Sequence, residues 1–425
     1  MKYIIVIILA FYILCNAYSQ YSPPDGIYPD IVFDERIKTA RIFKEGWETS
    51  YPVSNINDQT PLVLSFDELS RNPRNYSYAI IHCDADWRRS RLITDEYMTG
   101  FPTNRISRFE YSFNTHTQFV HYRVNIPNED VQLKLSGNYV ILVFEDGNES
   151  HPVMSRRFVI TESLVSATTW AGIARQTARQ NEWQQIEFVA RTGNFRIENP
   201  SIDLNVVVIK NGQWNNARTG IKPLFVRQNE LDFRHIDETL VFLAGNEYRQ
   251  LDIRNPRFSI TQMAAVEFER QRWRFYPVPD QIRAAGRYSF YEDMNGKYAI
   301  HSQNANRHEV EADYVYVHFS LQTPLPFVNG QVYVMGEFCN YVFSDENRMR
   351  YNFEKQQYEV TMLLKQGFYN YRYEFASTTG EEDANYIEGN FSSAENDYLI
   401  FFYHRGRSER YDRLIEVITV NTLRR

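Results

Sequence analysis

Along this chain, short runs rich in Val, Ile, Tyr and Phe alternate with two-residue turns. "NVVVIKNGQW" places Asn211-Gly212 between strand-like runs, "YSFYEDMNGKYAI" does the same with Asn295-Gly296, and "PFVNGQVYVMG" with Asn329-Gly330. Asn-Gly favours the type I′ turn because both central residues take positive φ, so each dipeptide predicts a β-hairpin. "VQLKLSGNYVILVFEDG" adds two runs around Gly137-Asn138, closed by Asp146-Gly147. The repeated spacing predicts an all-β chain of three immunoglobulin-like or early-set β-sandwich domains in series.

The length of 425 residues suits several domains. The punctuation divides it into an N-terminal sandwich over 20–163, a middle sandwich over 164–300 and a C-terminal early-set-like sandwich over 301–425. The stretch "VSATTWAGIARQTARQNEWQQ" has few large apolar residues and reads equally as a linker, a helix or an irregular strand.

The first twenty residues, "MKYIIVIILAFYILCNAYSQ", read as an export signal over 1–19. Lys2 supplies the positive start, Ile4 to Leu14 the apolar stretch, and Ala17-Tyr18-Ser19 the small-x-small site, with cleavage between Ser19 and Gln20. Cys15 follows the bulky Leu14, where a lipoprotein signal needs a small residue. No later segment has the apolar length of a membrane helix, so the expected product is exported without a membrane span. Export permits a disulfide, but Cys83 and Cys339 lie far apart and make no disulfide framework. Asn75, Asn148 and Asn390 head Asn-x-Ser triplets, which matter only in a host that glycosylates exported proteins. A net charge of −7 lacks the basic footprint of a nucleic-acid binder.

One stretch invites a metal. "YSYAIIHCDADW" packs His82, Cys83, Asp84, Asp86 and Trp87 into six positions. On a strand, Tyr76, Tyr78, Ile80, His82, Asp84 and Asp86 share one face while Ile81, Cys83, Ala85 and Trp87 share the other. His82 and Cys83 then diverge, whereas zinc needs its ligands converging at about 2.0–2.3 Å. The structural reading makes Cys83 a core residue beside Trp87, and Asp84 and Asp86 acceptors for backbone N–H groups; a hard-metal site on the aspartates is the alternative. In "RHEVEADYVYVH", His308, Glu311, Asp313 and His318 lead into an alternating strand and lack His-Glu-x-x-His spacing. There is no nucleophile elbow, P-loop or dinucleotide fingerprint, and a glycosidase carboxylate pair would be set by the fold alone. No catalytic residue, cofactor or metal is therefore expected.

Read in order, the phrases "FKEGWETSYPV", "LVLSFDELS", "YSYAIIHCDADWRRS", "EYMTGF", "YSFNTHTQFVHYRVNIPNED", "LKLSGNYVILVFE", "RRFVITE", "KNGQW", "GNEYRQLDIRN", "YEDMNGKYAI" and "NYIEGNFSSAENDYLIFFYHR" resemble the type IX secretion system plug proteins over nearly the whole mature chain. The resemblance implies a non-enzymatic periplasmic protein that docks on the periplasmic mouth of the giant outer-membrane β-barrel translocon and seals its pore between substrates. It supplies no residue-level docking set, and implies neither a nucleic acid nor a small-molecule substrate. The last module, around "GEFCNY", also resembles early-set sandwiches that include glycogen-binding modules. That leaves an exported glycan-binding or cell-envelope interaction module as the alternative. Against it, Tyr341 stands where the glucan-binding pattern usually carries a tryptophan, and the last tryptophan in the chain is Trp273.

Overall fold

The computed structural model describes residues 21–175, 180–256, 262–378, 382–383 and 385–423; the leader, with Ser19 and Gln20, lies outside the described residues. The first sandwich pairs the sheet Ile37–Lys44, Leu62–Glu68, Val120–Ile126, Phe109–Tyr111 with a sheet ordered Ile31–Val32, Pro152–Thr161, Gly137–Glu145, Tyr76–Cys83, Thr103–Arg105. Val53–Asn55 adds to Pro152–Thr161 in parallel. Its core includes Phe66 stacked on Tyr122 at 5.0 Å, together with Tyr76, Tyr139 and Ile141.

The middle sandwich has one sheet of Ser166–Ile173, Trp183–Arg191, Glu230–Asp232 and Phe225–Arg227, with Val241–Leu243 also on Trp183–Arg191. Its other sheet runs Gln213–Ile221, Leu204–Lys210, Asp397–His404, Arg413–Asn421. The last two strands of the chain therefore return to the middle sandwich, with Val206 opposite Phe402, and the expected unit over 301–425 does not hold together. The expected boundary at 300 moves as well, because Arg249–Asp252, Met263–Glu269, Arg272–Pro277 and Tyr298–Ile300 already belong to the third sandwich. That sandwich is completed by Tyr314–Gln322, Gly330–Met335, Gln357–Lys365 and Gly367–Ser377. The physical reason is that an alternating run specifies a buried face but not its partner strand. The ambiguous stretch after Val165 starts as a strand, Ser166–Ile173, paired antiparallel with Trp183–Arg191.

Of the three Asn-Gly turns, Asn211-Gly212 closes a two-residue hairpin, with φ of 51° and 71° and Lys210 opposite Gln213. Asn295-Gly296 also has positive φ, but no strand precedes it, and Tyr298–Ile300 pairs with Gly367–Ser377 instead. At Asn329-Gly330 the following strand likewise joins Gly367–Ser377. The turn chemistry fixed the local bend, while the partner came from elsewhere in the chain.

Two sheets are buried on both faces. In the first sandwich, Tyr139, Ile141 and Val143 point into that sandwich's own core while Val140 and Leu142 point out of it. In the middle sandwich, Leu204, Val206 and Val208 face inward with Ile400 and Phe402, while Val207, Ile209, Leu399 and Phe401 face outward. The two outward sets meet, with Ile81, Cys83 and Val159, as one apolar layer between the sandwiches. Antiparallel sheets commonly leave one face to water and alternate; here both faces are covered, which explains the continuous apolar runs "NYVILVFE", "LNVVVIK" and "DYLIFFYH".

His82 ends the strand Tyr76–Cys83 on the inner face, fully buried among Tyr97, Tyr139 and Tyr411. Nε2 lies 3.2 Å from the Ser136 carbonyl, which only accepts, so Nε2 carries the proton and Nδ1 accepts from the Ser90 hydroxyl at 2.9 Å. Gly137, at φ +140°, leaves room for this ring, since a Cβ there would lie 2.5 Å from Nε2.

Leu399 is 2% exposed within the inter-sandwich layer, so Leu399→Ala should lower unfolding free energy by about 2–5 kcal/mol. Phe353→Ala, at a side chain 77% exposed, should shift it by no more than about 0.5 kcal/mol; urea titration measures both. Burial pushes the His82 imidazole down to about 4, against about 6.5 in the unfolded chain. Above pH 6.5 neither state is protonated. As pH falls below that value the unfolded chain takes up a proton that the folded ring refuses, so stability is lost through this window, by about 3 kcal/mol at pH 4. Urea midpoints should therefore fall more steeply with acid in the wild type than in His82→Gln; parallel slopes would contradict this placement of the ring.

Candidate functional site at the junction of the three sandwiches

The strand that carries His82 ends at Cys83, and the next four residues form a tight turn in which Asp84 N donates to the Arg88 carbonyl at 2.8 Å and Trp87 N to the Asp84 carbonyl at 2.9 Å. Trp87 adopts φ +65°, uncommon for a bulky residue, and is held there by what it touches. Its ring meets Trp214 of the middle sandwich edge-on at 4.8 Å, with the Arg157 guanidinium 4.6 Å over its other side. Cys83 is fully buried in the same layer, and His82 faces away from it into the first core. Asp84 pairs with Arg405 at 2.5 Å and accepts from Asp412 N, while the Asp412 carboxylate accepts from Ala85 N at 2.9 Å. Among the described residues Asp86 pairs locally, with Arg88 at 2.7 Å. The motif residues thus diverge: Asp84 fastens the first sandwich to the loop between the chain's last two strands, where His82 also meets the Tyr411 ring, while Cys83 and Trp87 face the middle sandwich.

The third sandwich reaches the first through a buried ionic knot. Lys365 Nζ lies 2.5 Å from Asp67 Oδ2, and both side chains are 1% exposed. Asp67 also accepts from the Tyr314 hydroxyl at 2.7 Å and meets His121 Nδ1 at 2.6 Å. Burial works against the Asp67 charge, but Lys365 and His121 outweigh it and hold the carboxyl below the usual carboxylate range. Removing one partner from such a pair costs about 3–5 kcal/mol, because the other charge is left buried alone. Beside the knot, Asp313 accepts from the backbone N–H groups of His116 and Thr117 at 2.8 and 2.9 Å.

Where all three sandwiches meet lies a cavity of about 260 Å³, lined among others by Arg41, Trp87 and Arg156 of the first, Trp214 and Phe401 of the middle, and Lys297, Glu337 and Tyr341 of the third. Tyr51 closes one side: its hydroxyl donates to Asp397 at 3.0 Å, and Lys297 Nζ sits 3.3 Å over its ring. Gly212 is needed here twice over, for φ +71° and because a Cβ would lie 2.7 Å from the Tyr51 ring.

A second polar cluster sits where the chain crosses between the middle and third sandwiches. Oxygens of Glu247, Asp293 and Glu395 all lie within 4.8 Å of one another. Glu247 accepts from the Tyr288 hydroxyl at 2.5 Å and from Glu395 N at 3.0 Å; Asp293 accepts from Tyr248 N and Asn295 N at 2.5 and 2.6 Å. Burial pushes the Asp293 carboxyl up to about 7, against the backbone donors, and raises Glu247 as well.

The remaining residues singled out in the sequence do not converge. His308 stacks near His301 at 4.0 Å, Glu311 accepts from Asn306 N and Arg307 N, and His318 lies parallel to Tyr276 at 4.3 Å. Cys83 and Cys339 are both free thiols. Asn75 and Asn148 are exposed, whereas Asn390 accepts from Gly245 N at 2.5 Å inside the crossing. Sequence reasoning missed Asp67 with Lys365 and the Glu247 trio, because no local spacing joins residues so far apart. The only signal was that "GNEYRQ", "YEDMNG" and "SSAEND" each carry an acidic residue within two positions of an Asn.

The model of the Type 9 secretion system plug protein 1st domain matches residues 37–162, which is the first sandwich from Ile37–Lys44 through Pro152–Thr161. A crystal structure of a hypothetical protein from Parabacteroides merdae is similar over 93% of this chain and 99% of that one, with 33% identity and a TM-score of 0.89. An alkylpurine DNA glycosylase of Pseudomonas fluorescens bound to DNA has 13% identity over 29% of this chain and 30% of its own, with a TM-score of 0.16. Native alpha-2-macroglobulin of Escherichia coli, spanning domains NIE-MG1, has 9% identity over 47% of this chain and 89% of its own, with a TM-score of 0.17. These two likenesses are too weak to bear on fold or function. No curated protein matches the chain. The matched family is one of secretion-system plugs rather than enzymes. With its first sandwich matched by the plug domain and its whole length shared with a 33%-identical structure, the chain belongs to the type IX secretion system plug protein family.

Proposed function

We propose that this protein is a non-enzymatic periplasmic plug that docks on the periplasmic opening of the giant outer-membrane β-barrel of the type IX translocon and seals the pore when no substrate is in transit. The observation that carries the reading is mechanical. The sandwich matched by the plug domain is locked to the middle one by a buried apolar layer and to the third by the Asp67–Lys365 knot. A pore wide enough for folded cargo leaks small solutes unless a stiff object covers it. Three sandwiches that cannot swing apart make such an object without a cofactor, whereas beads on flexible linkers would open gaps.

The glycan-binding alternative finds less support. It calls for a flat row of exposed aromatics, but Tyr341 lines the inter-sandwich cavity, and its hydroxyl lies 2.2 Å from where a Cβ on Gly296 would stand. Large apolar side chains do remain at the surface, Trp47, Phe101, Tyr111 and Phe113 among them in the first sandwich. Aromatic side chains of this kind are enriched at protein interfaces.

An affinity pull-down from detergent-solubilised membranes, with the tagged mature chain as bait and mass identification of what accompanies it, should recover a very large outer-membrane barrel. Its repeated absence, with glycans or another envelope component recovered instead, would contradict the plug reading.

A further inference from the structure

We propose that Glu247, Asp293 and Glu395 bind a calcium ion that clamps together the crossings of the chain between the middle and third sandwiches. The three residues arrive on separate stretches. Glu247 lies on the way out of the middle sandwich, just before Arg249–Asp252; Asp293 lies in the loop before Tyr298–Ile300; Glu395 lies on the way back, just before Asp397–His404. Among the described residues, theirs is the grouping of three potential metal ligands whose donor atoms approach this closely, all within 4.8 Å. Oxygens on opposite sides of a calcium ion, each at 2.3–2.6 Å, stand about 4.6–5.2 Å apart. The separations, all within 4.8 Å, are compatible with three oxygens sharing one ion.

An independent observation points the same way. Asn295, 6% exposed, has an amide oxygen with no hydrogen-bond partner, while its amide nitrogen donates to both Glu395 carboxylate oxygens at 3.1 and 3.2 Å. Amide oxygen and nitrogen are told apart only by their partners; a half-turn would aim the oxygen at an ion held by Glu395 and move the nitrogen into the unpartnered position. Glu247, 1% exposed, leaves its Oε2 without a partner as well. A buried acceptor with no donor is costly, and a cation at the cluster would remove the deficit at the Glu247 oxygen.

The charge around the cluster agrees. Among the described residues, no Lys or Arg forms an ion pair with the carboxylates of Glu247 or Asp293; the nearby Arg283 donates to the Glu247 backbone carbonyl at 2.6 Å and pairs with Glu388. Three carboxylates this close repel one another when ionised; Arg283 at Glu247 and Lys297 at Glu395 offset part of that charge, and a divalent ion would offset more. The donors are all oxygens, the choice of a hard cation. Calcium, which accepts crowded carboxylates in irregular geometry, suits three ligands fixed by separate loops better than magnesium, which demands a near-ideal octahedron and keeps its waters.

The site stands independently of the docking reading and is tested on the purified mature chain, stripped with chelator and dialysed. Equilibrium dialysis should show one calcium ion per chain, with a thermal midpoint raised by calcium beyond any effect of the same ionic strength in potassium chloride. Glu247→Gln and Asp293→Asn should each weaken binding by at least about 10-fold with unchanged circular dichroism, while Glu346→Gln, at an exposed salt bridge to Lys38, keeps wild-type binding. If either cluster variant fails to fold, terbium on the wild-type chain supplies the second readout. Its luminescence should be excited through the neighbouring tyrosines, Tyr288 among them, and abolished by calcium. No calcium retained and no terbium signal, binding unchanged in both cluster variants, or magnesium displacing calcium at equal concentration would each overturn the proposal.

Discussion

The structure depends on one buried apolar layer. Val140 and Leu142 of the first sandwich, with Ile81 and Val159, meet Val207, Ile209, Leu399 and Phe401 of the middle one. Fully burying side chains of this kind is worth about 1.5–3 kcal/mol each, so eight of them outweigh the typical net stability of a whole domain before conformational entropy is subtracted. Neither sheet could face water if the layer opened, because each would expose a continuous apolar strand surface. That constraint turns neighbouring sandwiches into one body.

Polar contacts then set the geometry that the apolar layer alone would leave free to slide. The turn at Asp84–Trp87 hooks onto Arg405 and Asp412, Tyr51 seats on the Gly212 hairpin, and the Asp67–Lys365 pair fixes the third sandwich against the first. Apolar surfaces tolerate small shifts, whereas a buried ion pair tolerates almost none, since misalignment leaves a charge unpaired in a poorly solvated place. The division of labour suits the proposed plug role, which would depend on shape being held rather than on chemistry being done.

Much of this was legible in the sequence, and the failures share a cause. The period-two pattern gave the strands, Asn211-Gly212 gave its hairpin, and alternation put His82 and Cys83 on opposite faces. Each of those is decided within a few residues. Domain boundaries were not: Asp397–His404 looks like any other buried strand, and nothing local says that its partner is Leu204–Lys210 rather than a nearer run. The same holds for Asn295-Gly296, where the turn formed without a hairpin around it. Asp67 with Lys365 and the Glu247, Asp293, Glu395 cluster come from distant segments, so their chemistry exists only after folding.

If the three sandwiches form one body, they open together or not at all. Native-state hydrogen exchange across a urea series tests it directly, by following the amides of Gly137–Glu145, Leu204–Lys210 and Gln357–Lys365, one strand from each sandwich. The most protected amides of all three should converge on a single opening free energy, equal to that of global unfolding. Exchange of Leu204–Lys210 or Gln357–Lys365 through its own, lower-energy opening while Gly137–Glu145 stays protected would contradict it.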